Sequence, residues 1–199
     1  MLSSADDPVA QALHHAADAV LSQLAALPAR TALTSASVAP GVIIDGGSGA
    51  GKSTLATLVA AGWPGEARVV ALDDVYPGWD GLARGAELAR VQILEPRRAG
   101  EASHWQRWDW GASRYTAADR VDPGILLIVE GSGVLTAASA ALSDARVWLE
   151  SPVESRRERA LARDGEAYRP HWERWAAQEA EHLAADHPRD FATLVVEIP

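Results

Sequence analysis

"GVIIDGGSGAGKSTLATLVAAG", residues 41–62, decides the fold of this chain. Its first five residues are apolar and β-branched and are bounded by glycine, the pattern of a short buried strand. Its last eleven, from Lys52 to Gly62, have the composition of a helix closed by a glycine. Between strand and helix, Gly46, Gly51, Lys52 and Ser53 fall at the spacing of a phosphate-binding loop, G-x-x-x-x-G-K-[ST]. Glycines there let successive backbone N–H groups turn inward and form an anion-binding nest. The helix that follows points the positive end of its dipole at the same place. Residues Gly46, Gly47, Ser48, Gly49, Ala50, Gly51, Lys52, Ser53 and Thr54 are therefore expected to bind ATP. Lys52 should reach the β- and γ-phosphates, and the Ser53 hydroxyl should help hold Mg²⁺. Lys52 is the only lysine beside seventeen arginines. A tight backbone ring accepts a compact ammonium and not a wide planar guanidinium.

The rest of the chain is consistent with an α/β domain. "ARVVALDD" (67–74), "GILLIVEG" (124–131), "ARVWLE" (145–150) and "ATLVVEI" (192–198) read as further strands. Helical patterns fall between them, at about 82–95, 134–142, 152–164 and 168–185, and an amphipathic helix spans 7–27. Nearly continuous apolar strands alternating with helices imply a five-stranded parallel sheet covered on both faces. The expected organisation is one domain over 1–199: an N-terminal helix and connector to residue 40, then a core carrying a lid at about 152–172.

A formal net charge of −9 argues against a nucleic-acid-coating protein. With no cysteine there is no disulfide or thiolate metal site, and the histidines show no zinc-ligand spacing. No apolar run reaches membrane-spanning length and the N-terminus lacks a signal-peptide pattern, so a cytoplasmic protein without a membrane partner is expected. A homo-oligomer is left open.

The remaining candidate residues lie at strand ends and in one helix. Glu130 closes the strand "ILLIVE", where a carboxylate could hold Mg²⁺. "LDDVYPGWDGL" (72–82) sets Asp73 and Asp74 at the end of the second strand, and the spacing leaves open which is the base toward an attacking hydroxyl. Trp105, Trp108 and Trp110 crowd six residues, a composition that suits a planar base or a sugar face, or the anchoring of a loop. Arg156, Arg159 and Arg163 recur at i, i+3 and i+7 on one helix side, and Arg169 follows. Such a row can close over ATP, with Arg159 and Arg163 as candidates to neutralise the transferring phosphoryl group.

In this order, "IDGGSGAGKSTLA", "LDDVYPGWDGL", "RWDW" and "LLIVEG" resemble the motifs of uridine kinases and their phosphoribulokinase-like relatives, from about residue 41 onward. The resemblance implies a P-loop NTPase fold of the nucleoside and nucleotide kinase type with an arginine-rich lid. It places the catalytic Asp on Asp73 and the following aromatic on Tyr76. It places the acceptor pocket on Trp108, Asp109, Trp110 and Arg114, although the family's histidine shortly after that segment is missing here.

The leading expectation is an ATP- and Mg²⁺-dependent small-molecule kinase whose acceptor is a nucleoside. A monophosphate or other metabolite kinase would need additional arginines near the acceptor, and Arg84, Arg90, Arg97, Arg98 and Arg107 are available. A non-catalytic ATP-binding regulator is the alternative from another class.

Overall fold

A computed structural model describes residues 7–28 and 38–199; most of the expected connector lies outside the described residues. Five parallel strands form the central sheet: β1 (Gly41–Gly46), β2 (Ala67–Ala71), β5 (Leu126–Glu130), β6 (Ala145–Glu150) and β7 (Leu194–Glu197), in the order β2-β5-β1-β6-β7. Its central strands β1 and β5 are nearly continuous apolar runs, because a parallel sheet is covered on both faces. Every residue of β1 and β5 is buried.

Alternation along these strands divides the core. Val42 and Ile44 of β1, with Leu126 and Ile128 of β5, face one side and pack against Leu55 and Val59 of α2 (Lys52–Gly62) and Val20 of α1 (Pro8–Ala25). Ile43, Leu127 and Val129 face the other, toward Leu82, Ile93 and Trp175. At about 25 cal/mol per Å², burying two continuous apolar layers is the main term holding the sheet together. The α/β P-loop NTPase fold read from the sequence is the fold of the chain.

Several elements differ from the expected ones in instructive ways. The helix expected over 82–95 runs further, as α3 (Leu82–Ala89), a π-helical turn (Arg90–Leu94) and α4 (Glu95–Arg98). The wide turn precedes Pro96, which has no N–H to offer a regular helix. α4 delivers Arg97, 2 % exposed, to the carbonyls of Ala39, Pro40 (2.6 Å) and Ile125 (3.4 Å), tying the entries of β1 and β5 together. Of the helix expected at 134–142 only α5 (Ala137–Ala140) forms, capped by Thr136 and Ser139. α6 (Val153–Asp164), two 3₁₀ turns, α7 (Trp172–Asp186) and α8 (Pro188–Phe191) complete the chain.

An antiparallel hairpin was not expected: β3 (Ser103–Asp109) and β4 (Arg114–Val121) pair outside the main sheet. Asp109 accepts the Ala112 N–H at 2.8 Å and so closes the turn between them. Among the described residues no helix is long and apolar enough to cross a membrane.

Candidate active site

The carboxyl ends of the strands converge on one cleft, as open parallel sheets require. β1 runs directly into the loop 46–51, and α2 begins at Lys52. Gly51 caps α2 with φ +101° and Gly49 has φ +79°, both in the region that side chains avoid. Gly49 is also hemmed in: a Cβ there would stand 2.1 Å from the carbonyl oxygen of Arg156. Gly49→Ala is therefore expected to push α6 off the loop, costing roughly 2 kcal/mol and lowering Tm by about 5 °C. Thermal melting checks the stability loss, and a rise in the apparent Kd for ATP checks the loop distortion.

Lys52 is 9 % exposed and curls over the loop, its Nζ donating to the carbonyls of Gly46 (2.8 Å) and Gly47 (3.0 Å) and reaching Ser132 Oγ at 3.2 Å. Ser53, one residue on, donates its hydroxyl to Glu130 Oε1 at 2.8 Å. Glu130 is 4 % exposed, and burial raises its pKa against the opposing pull of Lys52 and Ser53. A buried carboxylate beside a hydroxyl is a hard-oxygen pair in want of a cation.

Lys52, Ser53 and Glu130 line a cavity of about 670 Å³. Asp73, on the 3₁₀ turn Leu72–Asp74 that follows β2, lines it too. Asp73 is exposed in the open cleft, yet the protein crowded around its carboxylate desolvates it and raises its pKa, while Lys52 and Arg163 oppose the shift. Asp74 turns away and pairs with Arg107 at 2.9 Å. The choice between the two aspartates, open in the sequence, is a difference in direction here.

Much of the remaining cavity wall is aromatic: Trp79, Trp110, Tyr168 and Trp175 line it, beside Arg163 and Asp164. Trp110 donates Nε1–H to the Asp73 carbonyl at 2.8 Å and leans on Trp79, ring centroids 4.8 Å apart. Trp79 is itself stacked with His171 (4.2 Å) and Tyr168 (5.5 Å). Of these four, Trp110 belongs to the tryptophan cluster read from the sequence, and Trp175 also joins the core. Trp79 and Tyr168 come from segments far apart in sequence, and spacing alone cannot bring them together.

Other expected site residues have different surroundings. Tyr76 is 1 % exposed, donates to the Ser132 carbonyl at 2.7 Å and packs edge-on against Trp175, so it lies behind the cavity wall. Trp108 packs against Tyr115, Asp109 closes the hairpin turn and Arg114 is exposed in register with it; the structure brings none of the three to the cavity.

The arginines divide in the same way. Arg163 reaches the cavity, paired with Asp164 at 2.6 Å. Arg156 and Arg159 instead fasten α6 to the loop, through the carbonyls of Ser48 (3.1 Å) and Gly49 (2.8 Å). Arg169 is exposed and pairs with Glu166. Arg84, Arg90, Arg97, Arg98 and Arg107 do not line this cavity.

Sequence reasoning missed two buried groups on α7, Glu179 and His182, which touch the phosphate loop and its root. The signal was present: both fall on the stripe of Trp172 and Trp175, where a helix of this periodicity calls for apolar residues.

Two solved structures with this architecture are described as kinases. A possible uridine kinase from Bacillus stearothermophilus superposes with a TM-score of 0.64 at 17 % identity, covering 92 % of this chain and 98 % of its own. A protein described as a fructose transport system kinase, from a Silicibacter species, superposes with a TM-score of 0.58 at 22 % identity and the same coverage, 92 % and 98 %. No family model matches the chain, and no curated protein matches it by sequence. The likeness is one of fold.

Proposed function

We propose that this protein transfers the γ-phosphate of ATP to a hydroxyl of a small molecule, with a nucleoside as the first acceptor to test. The observation that carries the reading is convergence. A phosphate loop with its lysine, the Ser53–Glu130 pair and the carboxylate of Asp73 line one cavity together with the aromatic side chains of Trp79, Trp110 and Trp175.

In this reading the loop amides and Lys52 take the phosphates, and Ser53 and Glu130 fit Mg²⁺, which supplies charge neutralisation on the phosphate oxygens. Such a site needs few protein ligands, since phosphate oxygens complete the shell. Asp73 orients the acceptor hydroxyl and takes its proton; Arg163, the arginine at the cavity, stabilises charge on the transferring group. Trp79, Trp110 and Trp175 offer faces or edges to a planar base or to the C–H face of a sugar. An acceptor that already carries phosphate is disfavoured, because among the described residues the one arginine lining the cavity is Arg163, and Asp164 neutralises it. The two structural neighbours, described as a possible uridine kinase and a fructose transport system kinase, frame the acceptor panel.

The test is acceptor-dependent release of ADP from MgATP across nucleosides, nucleoside monophosphates, sugars and polyols. Turnover with a nucleoside and none with the monophosphates is expected, and Trp110→Ala should raise that acceptor's KM about tenfold while leaving KM for ATP unchanged. Nucleotide binding without turnover on any acceptor would instead favour a regulator.

A further inference from the structure

α7 turns Trp172, Trp175, Glu179 and His182 to the interior. A buried carboxylate costs stability unless its oxygens are partnered, and Glu179, 6 % exposed, is partnered entirely by the phosphate-binding machinery. Its Oε1 accepts the backbone N–H of Ser48 at 2.6 Å and lies 3.0 Å from the Ser132 hydroxyl. Its Oε2 faces Arg156 Nη1 at 3.2 Å, and the same guanidinium nitrogen donates to the Ser48 carbonyl at 3.1 Å. Glu179 and Arg156 thus grip both backbone polar groups of Ser48. Ser132 in turn accepts from Lys52 Nζ at 3.2 Å. Three residues on, His182 braces the root of the same loop. Its Nε2 lies 3.2 Å from Asp45, whose carboxylate accepts the N–H groups of Gly46, Gly133 and Leu135.

We propose that Glu179 is a positioning residue for the phosphoryl transfer, and this inference rests on the kinase reading. It fixes the Ser48 corner of the loop and, through Ser132, the place where Lys52 presents its ammonium. Ser48 stands beside Tyr168, at the aromatic side of the loop, whereas Lys52, Ser53 and Thr54 form the first turn of α2. The inner phosphates of a nucleotide are met by that first turn and the nest before it. The terminal phosphate extends toward the corner that Glu179 holds. Loss of Glu179 therefore weakens the grip on a triphosphate more than on a diphosphate.

The experiment is equilibrium binding of MgADP and of a non-hydrolysable MgATP analogue to the wild type and to Glu179→Asp, Glu179→Gln and Glu179→Ala. Aspartate keeps the charge but is one methylene short of Ser48, and alanine removes the acceptor. Both are expected to lose about tenfold in affinity for the ATP analogue and less than about twofold for ADP. Glutamine still presents an oxygen to the Ser48 N–H and is expected to stay within about threefold of the wild type for both ligands. Parallel losses for the two nucleotides would mark Glu179 as merely structural and overturn the proposal, as would a Glu179→Asp protein indistinguishable from wild type. Should Glu179→Ala fail to fold, the Asp and Gln variants decide alone. No acceptor is needed, so the outcome is separate from that of the kinase reading, which fails if the wild type turns over no acceptor.

Discussion

Lys52→Ala is expected to lower phosphoryl transfer by about a thousandfold while the protein still folds. The ammonium lies over the loop on two backbone carbonyls and one hydroxyl, all groups that release it readily to a more negative partner. When phosphate enters, a unit positive charge in a site shielded from water meets charge that grows during transfer, and no other side chain can take its place. Lys52→Arg should rescue less than about a tenth of the lost rate, because a planar fork cannot enter a ring whose neighbouring carbonyls are 2.8 Å and 3.0 Å from a single nitrogen. Thermal melting of the variants should show cooperative unfolding near the wild-type Tm, which separates lost chemistry from lost structure. Turnover within about tenfold of wild type in Lys52→Ala would remove the loop from the mechanism.

Asp73→Asn carries the second large expected effect, a fall in kcat of about a hundred- to ten-thousandfold with binding of ATP nearly unchanged. The asparagine keeps the shape and loses the ability to take a proton. Burial raises the Asp73 pKa, so the base is lost as pH falls through a value above the usual aspartate range. The acid limb of kcat/KM should therefore lie higher than an ordinary aspartate would place it. The variant's residual rate should lose the part of that limb due to Asp73 and retain any part due to Glu130, whose pKa burial also raises. The stability consequence has the opposite sign. A carboxyl whose folded pKa exceeds its unfolded one stabilises below the unfolded pKa, and that contribution is lost as pH rises through the folded value. Because Asp73 is exposed, solvent screens most of that loss, and Asp73→Asn should melt close to wild type. Asp74→Asn, which removes only the exposed pair with Arg107, should change kcat less than about threefold.

Much of the scaffold was legible in the sequence because a parallel sheet buried on both faces writes itself as short runs of Val, Ile and Leu. Residues 41–46 and 126–130 are such runs, and the glycines between β1 and α2 mark a turn that only glycine makes cheaply. The hairpin was not legible, since β4 is RYTAADRV and alternates only weakly between buried and exposed residues. One of the four aromatic residues lining the cavity was legible. Trp110 sits in a visible aromatic cluster, but Trp79, Tyr168 and Trp175 arrive from three separate segments through the tertiary fold. Helical spacing placed Arg156, Arg159 and Arg163 on one side of α6. It could not tell that the first two would be taken by loop carbonyls and only the third would reach the cavity.

On the proposed function, the same arrangement is expected to set stability against activity. Asp73, Glu130 and Lys52 are polar groups in or beside a low-dielectric cleft, and each would be less costly as an apolar residue of similar size. Their retention at one cavity, together with aromatic side chains, is what an anionic donor and a hydroxyl acceptor would require.

The central claim is transfer, as distinct from hydrolysis or binding. It is tested most directly by following ATP labelled at its γ-phosphorus through the wild type and Asp73→Asn with each acceptor of the panel. Label appearing on an acceptor hydroxyl with the wild type, and falling at least about a hundredfold with the variant, is the predicted result. Label found only in inorganic phosphate, at a rate no acceptor changes, would contradict it.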